Sequence, residues 1–475
     1  MSAAAASTGR FDLSERVGPI VVKEVRQGLR AKVFAIFFGT LLAVCFSMAL
    51  VAFAGAAEAA GGVGWGRGFF SGYLTALGAV CFFVIPFVAF RSMSRELEDE
   101  TWVLLTLTGL GAHSITRGKW VSALSQAALF GSACAPFVLF SYFLNGIDLL
   151  QIVVALVLSM AWTGFLTALA LAIATQAHGK LARTLATFVV LGVLGAGTAG
   201  GVAFSWVLGE EGQRLLGRDE FRAFVAGILL FSASLTWLAL EASAAGLALP
   251  SEPASRGPRI AFTVVSLLGL AFGLVVFVVN DGDKRDAIPA QVISCLFLTF
   301  GGAFCISERD GWPRQAASGG WLKPGALRSF ALILALLIGS TALWTWLYAT
   351  ARGSSWRGDQ TLLAAPAYPL LYLSLAVLAG RLTPLRALGE PTASRVGLIV
   401  AIALGTLGSV IASLVFESKP DGRVTNALNP FVGMVHFVER SRHQMTTPLI
   451  VLLSATALAL LAALVTLKSR DGVRA

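Results

Sequence analysis

The chain has 475 residues, 56% of them hydrophobic and only 13% charged, with a net charge of +10 and a mean hydropathy of +0.78. A water-soluble domain carries about 25% charged residues, so this chain has too few polar groups to cover itself in water. The same numbers exclude a soluble enzyme, a disordered polymer and a disulfide scaffold, and leave lipid as the solvent.

The first predicted element is an amphipathic helix within residues 16–32. At 100° per residue Val17, Ile20, Val21, Val22, Val25 and Leu29 fill one arc, and Lys23, Arg26, Gln27 and Arg30 fill the other. That pattern suits an interfacial helix with its apolar face in the acyl boundary and its cations among headgroups. Pro19 fits its first turn. Glu24 lies on the apolar arc, where it either snorkels at the edge or pairs with a base of the next cytoplasmic loop.

Spanning helices follow. About 20 apolar residues cross the hydrocarbon, and segments at about 33–55, 69–90, 120–143, 149–174, 184–207, 223–248, 260–279, 287–306, 329–350, 361–380, 396–416 and 447–467 meet that length. The fold class is an all-α polytopic membrane protein with about 12 spans. The division expected is 1–32 as tail and interfacial helix, 33–248 as six spans and 249–475 as six more. The first span reads as a retained anchor, since acids and bases precede it and no small-residue cleavage site follows. Placing the N-terminus in the cytoplasm puts 24 of the 36 Lys and Arg residues in inside loops, which predicts both termini inside a cell (inner) membrane. The excess charge therefore points to topology and anionic headgroups and not to nucleic acid.

The loop after the second span, residues 91–119, carries its own pattern. Leu97, Thr101, Leu104 and Leu105 form a helical face, and Glu96, Glu98, Asp99 and Glu100 crowd its N-terminal part. The helix dipole and an Arg95–Asp99 pair at i, i+4 explain some of that cluster. The like-charged Glu96 and Glu100 remain, and point to a basic docking partner.

These residues carry a resemblance. Val22-Lys23-Glu24-Val25-Arg26-Gln27 leads into the first span, Arg95-Glu96 and Glu100-Thr101-Trp102-Val103-Leu104-Leu105 follow the second, Gly118-Lys119 opens the third, and Asn429-Pro430-Phe431 lies in the 418–446 loop before the last. The pattern resembles the type-2 ATP-binding-cassette (ABC) permeases, over roughly residues 15–180 and 400–470. The resemblance implies an elbow helix around Lys23, Glu24, Arg26 and Arg30. It also implies a coupling helix at about 92–108, through which Arg95, Glu96, Glu98, Asp99, Glu100, Thr101 and Leu104 meet a cytoplasmic ATPase. Asn429, Pro430 and Phe431 fall in an extracellular loop where family members place short re-entrant helices. Departures are Glu100 where glycine is frequent, Gly109 where proline is common, and twelve spans in place of six. Either six spans are inserted before the last two, or the chain is a 6+6 fusion. Ser307-Glu308-Arg309-Asp310 after the eighth span echoes Ser94-Arg95-Glu96, whereas 249–260 makes no amphipathic elbow and tilts the reading toward insertion.

No Gly-x-x-x-x-Gly-Lys-Ser/Thr loop is present, so no nucleotide site is expected in this chain, and ATP and Mg would sit on the partner ATPase. His113, His178, His436 and His443 match no metal or catalytic spacing. Membrane lipids, and a second permease copy or other membrane or periplasmic subunits, are the remaining partners the resemblance allows. Glu241 is the acid set deepest in a span; it is either functional or reaches Arg256 or a headgroup by snorkelling. A 12-span secondary transporter and a non-transporting scaffold subunit are the rival readings.

Overall fold

The computed structural model describes residues 19–58, 65–99, 111–144, 146–177, 179–216, 219–248, 255–279, 282, 284–306, 326–351, 360–380, 390–415, 426–439 and 442–474. Among them 94% are helical and no strand occurs. Ten of the helices are long and apolar enough to cross a membrane, and two further apolar helices, 287–302 and 393–409, are shorter by the same measure. The protein is a polytopic helical membrane protein. Of the expected spans, the eighth and eleventh coincide with those two shorter stretches.

The chain divides into two compact units, Met1–Leu247 and Ala248–Ala475. Unit 1 begins with α1 (Pro19–Arg30) and α2 (Lys32–Glu58). Next comes a continuous rod made of α3 (Trp65–Gly78), a π segment (Ala79–Val84) and α4 (Ile85–Glu98). The wide turn has a local cause. Pro86 has no N–H to return to the preceding turn, and the Ile85 N–H reaches back five residues to Val80 O. α5 (Ala112–Phe143), α6 (Leu149–Gln176), α7 (Lys180–Leu216) and α8 (Asp219–Leu247) complete the unit.

Apolar burial alone does not hold helices together in lipid, because the tails are as apolar as leucine. Unit 1 relies instead on small residues and on side chains that donate to a neighbour's carbonyl. Trp120 Nε1 donates to Gly164 O at 2.9 Å, Trp162 Nε1 to Gly197 O at 3.0 Å, Gln176 Nε2 to Ala242 O at 2.7 Å, and Gln151 Nε2 to Leu208 O. Ala168, Ala172 and Ala239 bring α6 and α8 together. A Cβ at Gly197 would meet Leu166, and one at Gly201 would meet Phe82, which gives the Gly197-x-x-x-Gly201 spacing its packing role. Phe70, Phe90, Met93 and Ile115 are fully buried, while Phe53, Phe143 and Phe188 are about 70% exposed, as lipid-facing side chains are.

Unit 2 contains α9 (Arg256–Val279), α10 (Lys284–Ile306), α11 (Ala326–Thr350), α12 (Thr361–Ala379), α13 (Glu390–Val415), the short α14 (Val432–Glu439) and α15 (Arg442–Arg474). α12 is its axis and packs on α10, α11, α13, α14 and α15. Pro366 and Pro369 lie within α12, and Tyr368 and Tyr372 between and beside them are buried.

The α6–α8 contact is testable through Gly246, whose Cβ would lie 2.8 Å from the Thr175 backbone oxygen. Gly246→Leu is expected to cost about 1–3 kcal/mol by overpacking and to lower the melting temperature in detergent. Gly200→Ala, with open space at its Cβ, should melt near the wild type. Equal melts for both variants would show the contact to be loose.

Candidate functional site

Unit 1 concentrates its charges at the end where α1, α4 and α5 meet. The amphipathic reading of α1 is visible in its burial: Lys23, Arg26, Gln27 and Arg30 are exposed, and Val21, Val22, Glu24, Val25 and Leu29 are half-buried. α1 lies on α5, where a Cβ at Gly28 would run into the Gln126 amide. Glu24, the acid on the apolar arc, therefore points toward α5 and not toward water.

Its partner is Lys119, in the second turn of α5. The Lys119 side chain is 3% exposed, and its ammonium donates to Glu24 Oε1 at 3.3 Å, Glu96 Oε1 at 2.7 Å and Ser92 Oγ at 3.0 Å. A lysine has three N–H donors, and all three are used. Ser92 and Glu96 are one turn apart on α4, so two acceptors come from that helix and one from α1. Two carboxylates around one ammonium leave the cluster with a formal charge of −1. A planar guanidinium would not reproduce this arrangement, because three acceptors around a compact tetrahedral head suit lysine.

The outer side of the same corner is tied by Arg183, near the start of α7. Its Nη1 lies 3.5 Å from Glu98 Oε1, and its Nη2 donates to Leu97 O at 3.4 Å, capping a last-turn carbonyl of α4. Arg95, Glu98 and Asp99 are exposed. Arg95 and Asp99 do not form the ion pair that their i, i+4 spacing suggested. The expected docking residues therefore fall into two groups: Glu96 faces inward onto Lys119, and Arg95, Glu98 and Asp99 face outward. Glu100, Thr101 and Leu104 lie outside the described residues.

Glu241, on α8, is 9% exposed. Trp237 Nε1 donates to its Oε1 at 3.3 Å, and His113 Nε2 lies 3.7 Å from its Oε2. Its partners within unit 1 are thus an indole one turn away and a half-exposed imidazole at the start of α5, six residues before Lys119.

The third group lies in unit 2. Asn429 Oδ1 accepts from the backbone N–H of Phe431 at 3.0 Å and of Val432 at 3.2 Å, which caps α14, with Pro430 in the first position after the cap. Asn429 Nδ2 donates to Ser409 Oγ on α13 at 2.7 Å. Tyr368 and Tyr372 of α12 donate to Ala427 O and Leu428 O, at 2.8 and 2.5 Å. The turn before α14 is thus pinned to two spans, and Gly433 is required there, since a Cβ would meet Asn426 O and the Tyr368 hydroxyl. Phe431 itself is 48% exposed.

Sequence reasoning left Ser92, Arg183, His113 and Trp237 out of any site, and took Lys119 only as the opening of a span. Lys119 did carry a signal, a base at the edge of an apolar run. His113 and Arg183 carried none, because their partners are far away in sequence. Among the described residues no group of three His, Cys, Asp or Glu side chains could hold a metal. Compared with known proteins, the chain matches no family model, no curated protein and no solved structure.

Lys119→Met removes the ammonium shared by Glu24 and Glu96, whose side chains are only 16% and 21% exposed, and is expected to cost about 3–5 kcal/mol in thermal unfolding. Adding Glu24→Gln and Glu96→Gln should restore most of that loss; a triple variant as unstable as the single one would mean that lost packing, and not charge, is responsible. At the other site, Asn429→Ala removes the cap and is expected to cost about 0.5–2 kcal/mol, read as a lower melting temperature. Asn429→Asp, which keeps the acceptor for the α14 amides, should melt closer to the wild type than Asn429→Ala.

Proposed function

We propose that the chain is the membrane-spanning permease subunit of an ABC exporter, driven by a separate cytoplasmic ATPase that binds ATP and Mg. The observation that supports this best is the Lys119 cluster. It joins the amphipathic α1, the end of the second span and the start of the third into one charged corner, at the place where the resembling family has its elbow and coupling elements. A force applied to the α4 end is passed through Glu96 and Ser92 to Lys119, and from there to α1 through Glu24. Buried ion pairs suit such a task because they hold a defined geometry better than apolar contact does.

In this reading the outward acids Glu98 and Asp99, with Glu100 beyond them, meet a basic surface of the ATPase, and Glu96 transmits the load within the membrane subunit. ATP-driven closure of the ATPase moves the α4 end, and α1 and α5 follow as a unit. Both chain termini and this corner lie on the cytoplasmic side of the inner membrane, in keeping with the Lys and Arg asymmetry of the loops.

The test is affinity purification of the tagged chain from its native membrane. An ATPase subunit is expected to co-purify, and Glu98→Lys, Asp99→Lys and Glu100→Lys together should release it while Glu96 is left intact. The triple variant gives up the Glu98–Arg183 pair, a surface contact worth about 0–1 kcal/mol, so its melting temperature should fall only slightly. An ATPase that stays bound to this variant would place docking elsewhere.

A further inference from the structure

The helix pairings of the two units, each taken by itself, follow one plan. In unit 1 the rod α3–α4 packs on α2, α5, α6 and α7, and α6 packs on the rod, α5, α7 and α8. In unit 2, α10 packs on α9, α11, α12 and α13, and α12 packs on α10, α11, α13 and α15. Numbering the spans of each unit from one to six, the second and fourth are the hubs in both. The remaining principal pairings also coincide: first with third (α2 with α5, α9 with α11) and third with sixth (α5 with α8, α11 with α15). Every principal span pairing of unit 2 has its counterpart in unit 1. Adjacency in sequence does not force this, because third with sixth and second with fifth are distant in both units.

A second observation concerns the start of the third span in each unit. In unit 1 the start of the third span is held by the buried Lys119 tie to α1. In unit 2 the fully buried Arg259, in the first turn of α9, donates from Nη2 to Ser329 Oγ at the start of the third span, α11, at 2.6 Å. A buried base thus ties the entry of the third span to an earlier helix in both units, to the amphipathic α1 in unit 1 and to the first span in unit 2, with the base on opposite partners.

We infer that the chain is a tandem repeat of one six-span module, so that a single copy carries both permease halves and engages two ATPase subunits; the ATPase part rests on the function proposed above. The packing within unit 2 favours this over insertion of six spans into a six-span core, the arrangement toward which residues 249–260 tilted the sequence reading. Within that unit the last two spans are integral members of the bundle, α13 packing on α10 and α12, and α15 on α11 and α12. The repeat also accounts for a resemblance confined to 15–180 and 400–470. The first module keeps the amphipathic helix and the acidic loop, and the second keeps the short helix before its last span.

Two full-length copies bearing different affinity tags, co-expressed in the native host and solubilised in mild detergent, test this directly. Capture on one tag is expected to leave the other behind, and the native mass of the eluate should fit one 49.8 kDa chain with two ATPase subunits. Recovery of the second tag in equal amount would show the chain to be one half of the permease and overturn the inference, as would a single ATPase per chain. A single chain with no ATPase would uphold the self-contained permease and overturn the function proposed above.

Discussion

An ammonium group placed among apolar helices must have all three of its protons accepted, and the corner of unit 1 is built around that requirement. Lys119 has little water to turn to, and its acceptors come from α4 and α1 rather than from its own helix. The position of α1 follows from this. A 12-residue amphipathic helix is too short to be stable alone, and here its apolar face and Glu24 are both satisfied by α5. Remove the charge on Lys119 and two carboxylates face each other across the junction of three elements. Arg183 closes the outer side of the same junction through Glu98 and Leu97 O, so the end of α4 is held from two directions.

Away from that corner, the bundle is held by a different means. Lipid offers no gain for bringing leucines together, so close approach of backbones and bonds to their carbonyls decide which helices touch. One hub span of each unit shows this. α6 presents Gly164 to Trp120 and the Ala168–Ala172 stripe to Ala239, and α12 places two tyrosine hydroxyls on carbonyls of the turn before α14. In α12 the two prolines weaken the helix's own ladder, and the neighbouring spans enclose it on nearly all sides. Irregular backbone at membrane depth is tolerable where protein surrounds it.

Most of the fold was legible in the sequence, because the spans are runs of apolar residues whose length the bilayer sets. Their neighbours were not, since pairing depends on single glycines and on donors such as Gln176 and Trp162 that leave no periodic mark. The two-arc reading of α1 matches its burial, and of the two accounts of Glu24 the structure takes the ion pair. Periodicity identified the acids of 96–99 but not their directions: Glu96 and Glu98 are two residues apart on a helix, and that offset turns one onto Lys119 and the other outward. The expected Arg95–Asp99 pair failed because Asp99 sits just past the end of α4 and has left the helical path that the i, i+4 rule assumes.

On the repeat proposed above, the two modules differ more at their ends than in their packing. Span-to-span contacts are fixed by many small complementary surfaces, so a change in one helix must be met by its neighbours, and the plan persists while individual side chains drift. A terminal or loop element touches little and can be lost from one module if the other keeps it. Unit 1 has Glu24 and Lys119 at its entry, whereas unit 2 has the bond from Arg259 to Ser329. Conversely, the capped helix of Asn429 precedes only the last span of unit 2 among the described residues. The entry of unit 1 combines a carboxylate-rich cluster with the exposed acids Glu98 and Asp99, and that of unit 2 is anchored by a buried arginine, so one packing plan tolerates different polar ties at its entry.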